Sequence, residues 1–289
     1  MRFGVAIFAT GDGMDVTDIG RATEERGFES LFLPEHTHIP TSRLSPWRGG
    51  AELPREYKST LDPFVALAAV AAVTGSLRLG TGVALVAQRD PILLAKEVAT
   101  LDVLSGGRVL LGVGGGWNLE EMRHHGTDPR TRWTLLRERV LAMRQIWGND
   151  VAEFHGALVD LDPLWQWPKP VQKPCPPVLV GGNSPGTLRR VLDYGDGWIP
   201  LWRGDTAAFG AQLRELGRLA AERDVPRPSV TVFGAPPDAA TLDVLAGLGV
   251  ERCLFWLPTG GPAEVVPELD RLAALVAGHL TAGRPIGER

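Results

Sequence analysis

Short runs rich in β-branched and aromatic residues alternate along the chain with longer stretches whose apolar positions recur at helical spacing. That alternation marks repeated strand–helix units around a parallel sheet. The first strand is predicted over Phe3–Phe8, followed by a helix over Val16–Arg26 that ends at Gly27, a residue type tolerant of the left-handed cap. The second strand, Glu29–Leu33, runs into an irregular stretch from His36 to Ser59 that carries Pro40, Pro46, Trp47, Pro54 and Tyr57. Asp62-Pro63 then starts a helix through Thr74. A third strand is predicted over Leu77–Val83, with a helix from Asp90-Pro91 to Leu104 before the turn SGG. The fourth strand, Val109–Val113, enters Gly114-Gly115-Gly116 and a helical region that breaks at Asp128-Pro129 and continues to Trp147.

The segment EFHGALVDLD alternates polar and apolar residues about His155-Gly156, the pattern of an inserted hairpin, and WPKPVQKPCPP brings the chain back. Four more strands follow, at Val178–Val180, Gly197–Ile199, Ser229–Phe233 and Arg252–Trp256, with a last helix over Glu264–Ala277. Eight strands, each followed by a helix, predict an α/β chain closed as a (β/α)8 TIM barrel, with loop insertions after the second strand and before the fifth. All 289 residues are taken as a single domain. An open doubly wound sheet is the other arrangement this pattern allows. In a barrel, chemistry collects at the C-terminal ends of the strands. Those ends carry Thr10 and Asp12, Glu35 and His36, Gly82 to Arg89, Gly114 to Asn118, Gly181 to Ser184, Leu201 to Arg203, and Pro258 to Gly261.

Composition narrows what such a chain does. A net charge of -4 argues against a nucleic-acid partner, which requires an extended Lys/Arg surface. Two cysteines, Cys175 and Cys253, are too few for a disulfide framework or a structural zinc site and point to a reducing cytoplasm. The start MRFGVAIFATGDG breaks at Thr10-Gly11 and reads as a strand rather than a signal peptide, and no segment is apolar for long enough to span a bilayer.

Three strand ends offer chemistry. LFLPEHTHIP places Glu35, His36 and His38 at the second. His-x-His on extended chain can hold zinc, but His124, His125, His155 and His279 fall on helices and the hairpin, away from any strand end, so no metal is expected. Glu35 and His36 read instead as an acid/base or hydrogen-bonding pair, or as caps that bond the backbone of the long loop, with His38 structural. GGNSPG places Gly181, Gly182, Asn183 and Ser184 before a helix whose first position is Pro185. The unpaired N–H groups of such a helix start form an anion site fit for a phosphate, or a cap alone. Glycines at Gly112–Gly116 and in LGTGVALVAQRDP leave two neighbouring strands with an open wall for a flat ligand. No Walker or GxGxxG fingerprint with a downstream acid accompanies them.

The strings LGTGVALVAQRDPILLAKEVATLDVLSGGRVLLGVGGGWNLEEM, LFLPEHTHIP and PPVLVGGNSPGTLRRVLDYGDGW together resemble the bacterial-luciferase-like superfamily of flavin- and deazaflavin-dependent oxidoreductases, most closely its actinobacterial-type subgroup that uses coenzyme F420. The likeness runs from the first strand to the sixth. It implies a usually dimeric barrel with the deazaflavin ring at the C-terminal mouth and a non-prolyl cis peptide at Gly82-Val83 forming a bulge behind it. It maps the family's acidic-residue-plus-His pair onto Glu35 and His36. The sugar-phosphate dehydrogenases of that family carry Asp at the first of these positions and a carboxylate where this chain has Trp117, which points away from a sugar phosphate and toward a more apolar substrate.

The expectation is therefore an oxidoreductase that moves a hydride between C5 of F420 and a small organic substrate. His36 would handle the proton, with Glu35 orienting it. Gly82, Val83, Gly115 and Gly116 would line the ring, and Gly181 to Ser184 would hold the phosphate. The loop around Trp47 and the insertion at 152–175 would cover the substrate. Two alternatives remain: an FMN-dependent monooxygenase or reductase of the same superfamily, and a non-redox barrel that binds a phosphorylated metabolite.

Overall fold

All eight predicted barrel strands enter one closed sheet. In the computed structural model, which describes residues 1–47, 49–50 and 52–282, these are β1 (Arg2–Ala6), β2 (Ser30–Leu33), β3 (Arg78–Thr81), β4 (Val109–Val113), β7 (Val178–Gly181), β8 (Gly197–Ile199), β9 (Ser229–Phe233) and β10 (Arg252–Trp256). They pair in parallel in the order β1-β10-β9-β8-β7-β4-β3-β2, and β1 closes back on β2. Residues 283–289, the tail of the predicted single domain, lie outside the described residues. The predicted hairpin is β5 (Ala152–His155) paired antiparallel with β6 (Asp160–Leu164).

Helices join the strands: α1 (Val16–Glu25), α2 (Glu56–Ser59), α3 (Pro63–Val73), α4 (Pro91–Leu104), α5 (Leu119–His124), α6 (Arg132–Gly148), α7 (Pro185–Tyr194), α8 (Thr206–Glu222), α9 (Ala239–Gly247) and α10 (Pro262–Ala282). Caps start most of them where the sequence places them. The carboxylates of Asp15, Asp62, Asp90, Asp205 and Asp238, and the amide of Asn118, each accept a first-turn backbone N–H.

Two cores result. Between sheet and helices lies a large shell that includes Leu31, Leu79, Val98, Leu136, Trp147 and Leu269. Inside the barrel a smaller layer of Ala6, Phe32, Leu110, Leu179, Ile199, Phe233 and Leu254 fills the space between strands. Phe32 fits because its neighbour across the sheet is Gly80, where a Cβ would stand 2.4 Å from the ring.

The structure moves element ends and adds a helix at the mouth. β1 stops at Ala6 rather than Phe8. β3 stops at Thr81 rather than Val83, because Gly82-Val83 leaves the ladder before Ala84 rejoins it beside Val113. The long loop after β2 contains a helical turn, α2, that its Pro-rich sequence hides. The insertion also differs in role. Glu138 of α6 accepts the backbone N–H groups of Ala157, Leu158 and Val159, so the hairpin is fastened to the outside of α6, and no residue of 152–175 lines the cavity at the barrel mouth. Among the described residues no helix is long and apolar enough to cross a membrane.

The N-terminal face of the barrel is held by polar clamps. Arg252, 2% exposed, grips Glu29 with two 2.7 Å bonds and donates to Thr231. Arg108 donates to the carbonyls of Ala71, Thr74 and Leu77 at the end of α3. Glu24 ties α1 to the turn before β3. Burial opposes its charge, but the backbone N–H groups of Ser76, Leu77 and Gly75 outweigh that effect and hold its pKa at about 2.

A carboxyl depressed in the folded state contributes stability that is complete above its unfolded pKa and is lost as pH falls toward its folded one. Glu24→Ala is therefore expected to cost about 1–2 kcal/mol at pH 7. The gap between variant and parent should close as pH drops from about 4.5 toward 2. Urea melts across that range measure it, and a gap that does not change with pH would disprove the assignment.

Candidate active site

Beyond β2, which ends at Leu33, successive residues turn their side chains to different sides. Glu35 is 3% exposed and turns toward the β3–α4 connection. Its Oε2 accepts the Leu85 backbone N–H at 2.6 Å and its Oε1 accepts Arg89 Nε at 2.6 Å. Arg89 in turn pairs with Asp62, the N-cap of α3, and with Glu97 on α4, and it lies over the Phe64 ring. Burial pushes the Glu35 carboxyl above its ordinary value, while Arg89 and the Leu85 donor pull it back.

His36 turns the other way. Its Nδ1 lies 2.9 Å from Oε2 of Glu121, a residue with no exposed surface, and Trp117 Nε1 donates to its Nε2 at 3.2 Å. An indole N–H can only donate, so Nε2 must present a lone pair and Nδ1 must carry the proton that Glu121 accepts. The two partners thus select one tautomer. The carboxylate that orients His36 is accordingly Glu121 rather than the expected Glu35, which is engaged with Arg89 and Leu85. Glu121 also accepts the Thr37 backbone N–H through Oε1.

Glu121 was open to discovery from the sequence only in disguise. Asn118 and Glu121 have the spacing of a capping box, and Asn118 does accept the Glu121 backbone N–H. A capping reading would have sent the Glu121 side chain back along its own helix. The fold sends it across to β2.

Both His36 and Glu35 line a cavity of about 360 Å3 at the C-terminal mouth. Its walls include the rings of Phe8, Tyr57, Trp117, Trp133, Phe233 and Trp256. Phe8 stacks on Trp256 with centroids 5.6 Å apart and meets Tyr57 at 4.6 Å. Burial raises the pKa of the Tyr57 hydroxyl. The expected residues Gly82, Val83, Gly115, Gly116, Gly181, Gly182 and Asn183 line the same cavity.

The Gly82-Val83 peptide is cis. The Val83 side chain lies against the neighbouring strand ends, where a Cβ on Gly114 would come within 2.4 Å of it and one on Gly181 within 3.0 Å. Gly114, just past β4, and Gly181 of β7 therefore make room for Val83 first, and the open wall inferred from the glycines is partly occupied by this bulge.

Ser184 is the N-cap of α7 but makes no side-chain cap bond. Its hydroxyl lies 3.0 Å from Thr187 Oγ1 and accepts from Arg190 NH2. The first turn of α7 therefore keeps its donors free of the carboxylate that caps α1, α3, α4, α8 and α9. Asn183 is committed sideways, donating to the Leu201 carbonyl and accepting the Leu201 N–H. Of the four residues in this loop, Ser184 alone does not line the cavity.

His38 is not isolated. It stacks on His124 with centroids 5.0 Å apart, and Thr37 Oγ1 bonds both His38 and His125. His124 and His125, placed by sequence on a helix away from the strand ends, thus meet the end of β2 through the fold. No group of three or more His, Cys, Asp or Glu among the described residues is arranged to hold a metal ion.

Comparison with known proteins matches residues 1–241 to the family described as Luciferase-like monooxygenase. An uncharacterized protein of Mycobacterium tuberculosis is 41% identical over 281 residues, covering 96% of this chain and 99% of that protein. The F420-dependent hydroxymycolic acid dehydrogenase of the same organism is 31% identical over 206 residues, covering 68% of this chain and 53% of the dehydrogenase. Among solved structures, monooxygenase RslO1 from Streptomyces bottropensis superposes with a TM-score of 0.80 at 20% identity, covering 98% of this chain and 99% of that one, a likeness of fold.

Removing Arg89 would leave Glu35 buried without its countercharge. Arg89→Ala is expected to destabilise the protein by about 3–5 kcal/mol. The double variant Glu35→Gln/Arg89→Met should lose less than the single one. Urea denaturation of both decides it, and a single variant as stable as the parent would remove the clamp from the structure's essential contacts.

Proposed function

The chain belongs to the luciferase-like monooxygenase family, an oxidoreductase family, and on that footing we propose that it is a coenzyme F420-dependent oxidoreductase that transfers a hydride between deazaflavin C5 and a small organic substrate: a carbonyl, an imine or an activated alkene. Family membership replaces the non-redox alternative. The observation that carries the reading is His36, bonded to the buried carboxylate of Glu121 behind it, lining the same apolar cavity as Val83. The relative named as an F420-dependent dehydrogenase supports the choice of cofactor.

The residues present fit such a group. A cavity of about 360 Å3 with aromatic walls suits a flat heterocycle. Gly82, Val83, Gly115 and Gly116 would face the ring. Gly181, Gly182, Asn183 and Ser184 would hold the phosphate, Asn183 through its backbone because its side chain is bound to Leu201, with the open start of α7 and Arg190 supplying donors. When bound, the deazaflavin supplies a hydride acceptor or donor at C5.

The chain's own groups do the rest. When a substrate hydroxyl or amine displaces the Trp117 N–H from His36 Nε2, the freed lone pair takes the proton of a substrate being oxidised, and the protonated ring returns it when a substrate is reduced. Glu121 stabilises the imidazolium formed in that step through Nδ1–H and keeps the ring in the orientation that needs no tautomer change. Glu35 acts at one remove by fixing the Leu85–Arg89 segment beside Val83.

The β2–α3 loop excludes water. Its Ser45 bonds Glu120 and Leu119 on α5, Arg55 pairs with Asp12, and Trp47 packs edge-on to Tyr57. Holding both reactants in such a site accounts for about 7–11 kcal/mol of a barrier when the geometry is productive.

Two further parts of the reading concern the assembly. We place the protein in the cytoplasm, where its buried free thiols Cys175 and Cys253 stay reduced. We assign a homodimer contact to the outer face of α3 and α4. Helix α3 has no charged residue, and helices apolar all round are normally covered. Val65 is nevertheless 73% exposed, Leu93 58% and Leu104 66%. A twofold contact between copies would bury this face against itself.

Anaerobic titration with F420 and with FMN tests the cofactor. F420 is expected to bind, and strong FMN binding without F420 binding would reverse the choice. In the F420-loaded enzyme, His36→Ala should lower kcat by about 100-fold or more with cofactor Kd unchanged. Glu121→Gln should give a smaller loss of about tenfold. Equal losses of turnover and affinity, or of neither, would return His36 to a structural role. For the assembly, sedimentation should show a dimer that Val65→Arg/Leu93→Arg converts to monomer, and a dimer that survives the pair would move the interface elsewhere.

A further inference from the structure

Beyond His36 the chain carries Thr37 and His38 to two histidines at the end of α5, and three hydrogen bonds run through this group in series. His124 Nδ1 lies 2.8 Å from His38 Nε2, His38 Nδ1 lies 3.0 Å from Thr37 Oγ1, and Thr37 Oγ1 lies 2.7 Å from His125 Nε2. The rings are close as well. The His38 centroid is 5.0 Å from that of His124 and 5.5 Å from that of His125. Thr37 is also the residue whose backbone N–H Glu121 accepts at 3.2 Å, so this series of bonds sits on the backbone that holds the partner of His36.

Each bond needs one proton, and the donors are limited. A hydroxyl donates once, and a neutral imidazole donates from one nitrogen and accepts at the other. If Thr37 donates to His125, then His125 accepts there and is neutral, and His38 donates to Thr37 from Nδ1. One further proton then fits on His38 or on His124 but not on both, because two N–H groups would face each other across the 2.8 Å gap. If Thr37 donates to His38 instead, His38 is neutral and donates to a neutral His124, and only His125 has room for a proton. In either direction the intact series holds at most one positive charge. Three separate imidazoles in acid solution hold three.

The surroundings do not offset a second charge. Glu121 is taken up by His36 and the Thr37 N–H, Glu120 by Ser45 and Arg123, Asp62 and Glu97 by Arg89, and Asp90 by the first turn of α4. Arg89 lines the same small cavity as His125. Burial lowers the pKa of His125, His38, Arg89 and His124 lower it further, and Glu121 acts the other way.

We propose that Thr37 and the three imidazoles form a pH-sensitive latch between the end of β2 and the end of α5, closed while the series carries no more than one added proton and opened by the second. Two imidazoliums repel across the ring stack, and no hydrogen bond is left to hold them. Opening takes up protons, so the open form gains as pH falls below about 6.5 and the closed form prevails above it. Because Glu121 belongs to α5 and is bonded to Thr37, an open latch loosens the hold on His36 from outside the cavity. The device is the same whichever cofactor or substrate the cavity takes.

Ring C–H resonances of protein carrying carbon-13 histidine, followed by NMR from about pH 8 down to about pH 4.5, count the protons. The three rings are expected to take up one proton between them in a first stage and the other two in a later, steeper one, with ring-to-ring contacts of His38 and His124 lost in the second. The Thr37 amide should lose its protection from hydrogen exchange in that same stage. Thr37 is exposed, and Thr37→Val removes the hydroxyl but keeps the backbone N–H. It should free His125 to titrate alone, so that the first stage takes two protons, and Thr37→Ser should bring it back to one. Three rings that fill independently, unchanged by Thr37→Val, would overturn the latch, as would ring contacts that persist when all three are charged. Protection of the Thr37 amide that survives the second stage would overturn its link to Glu121.

Discussion

The Glu35 carboxylate is the contact on which the mouth of this barrel depends. It is buried, it accepts a backbone N–H from Leu85, and it holds Arg89, which in turn reaches the N-cap of α3 and a carboxylate of α4. One side chain thus fastens the end of β2 to the segment after β3 and fixes where two helices begin. Glu35 is fixed toward Leu85 and Arg89 while the adjacent His36 is directed to Glu121. An ion pair so placed is expensive to assemble, and breaking it from either side would leave a charge in apolar surroundings.

From that anchor the division of labour in the cavity follows. Val83 is pressed into the space left by Gly114 and Gly181, so the wall behind the cavity is built by one branched side chain and the absence of others. The aromatic rings of six separate segments complete the enclosure, and the β2–α3 loop is sewn to α5 by Ser45 and Glu120. Within this largely apolar setting His36 is held between Glu121 behind it and the Trp117 N–H on its other side. Its two partners confine that imidazole to one tautomer.

Much of this was legible before the fold was known, for particular reasons. The eight strands announced themselves through β-branched runs, and the helices α3 and α4 through their Asp-Pro starts, because both signals are local and physical. Gly82-Val83 was located through its family resemblance, and the cis peptide is there. The partner of His36 was not legible. Glu121 lies 85 residues away, inside what reads as a helix cap, and nothing in WNLEEM says that its side chain crosses to another strand. The clustering of His38 with His124 and His125 was hidden for the same reason. The hairpin was found correctly as an element, but its role as a cover was not, since Glu138 on α6 decides which way it folds.

The sequence by itself determined the order of elements, the closed parallel architecture they require, and which strand ends carry polar or glycine-rich chemistry, because periodicity, capping and turn chemistry act over a few residues. Only the tertiary structure decided which carboxylate meets His36, that the glycine wall serves Val83, and that the hairpin is fastened to α6. Those outcomes depend on side chains from distant segments competing for the same few ångströms, and that competition is settled only when the strands close.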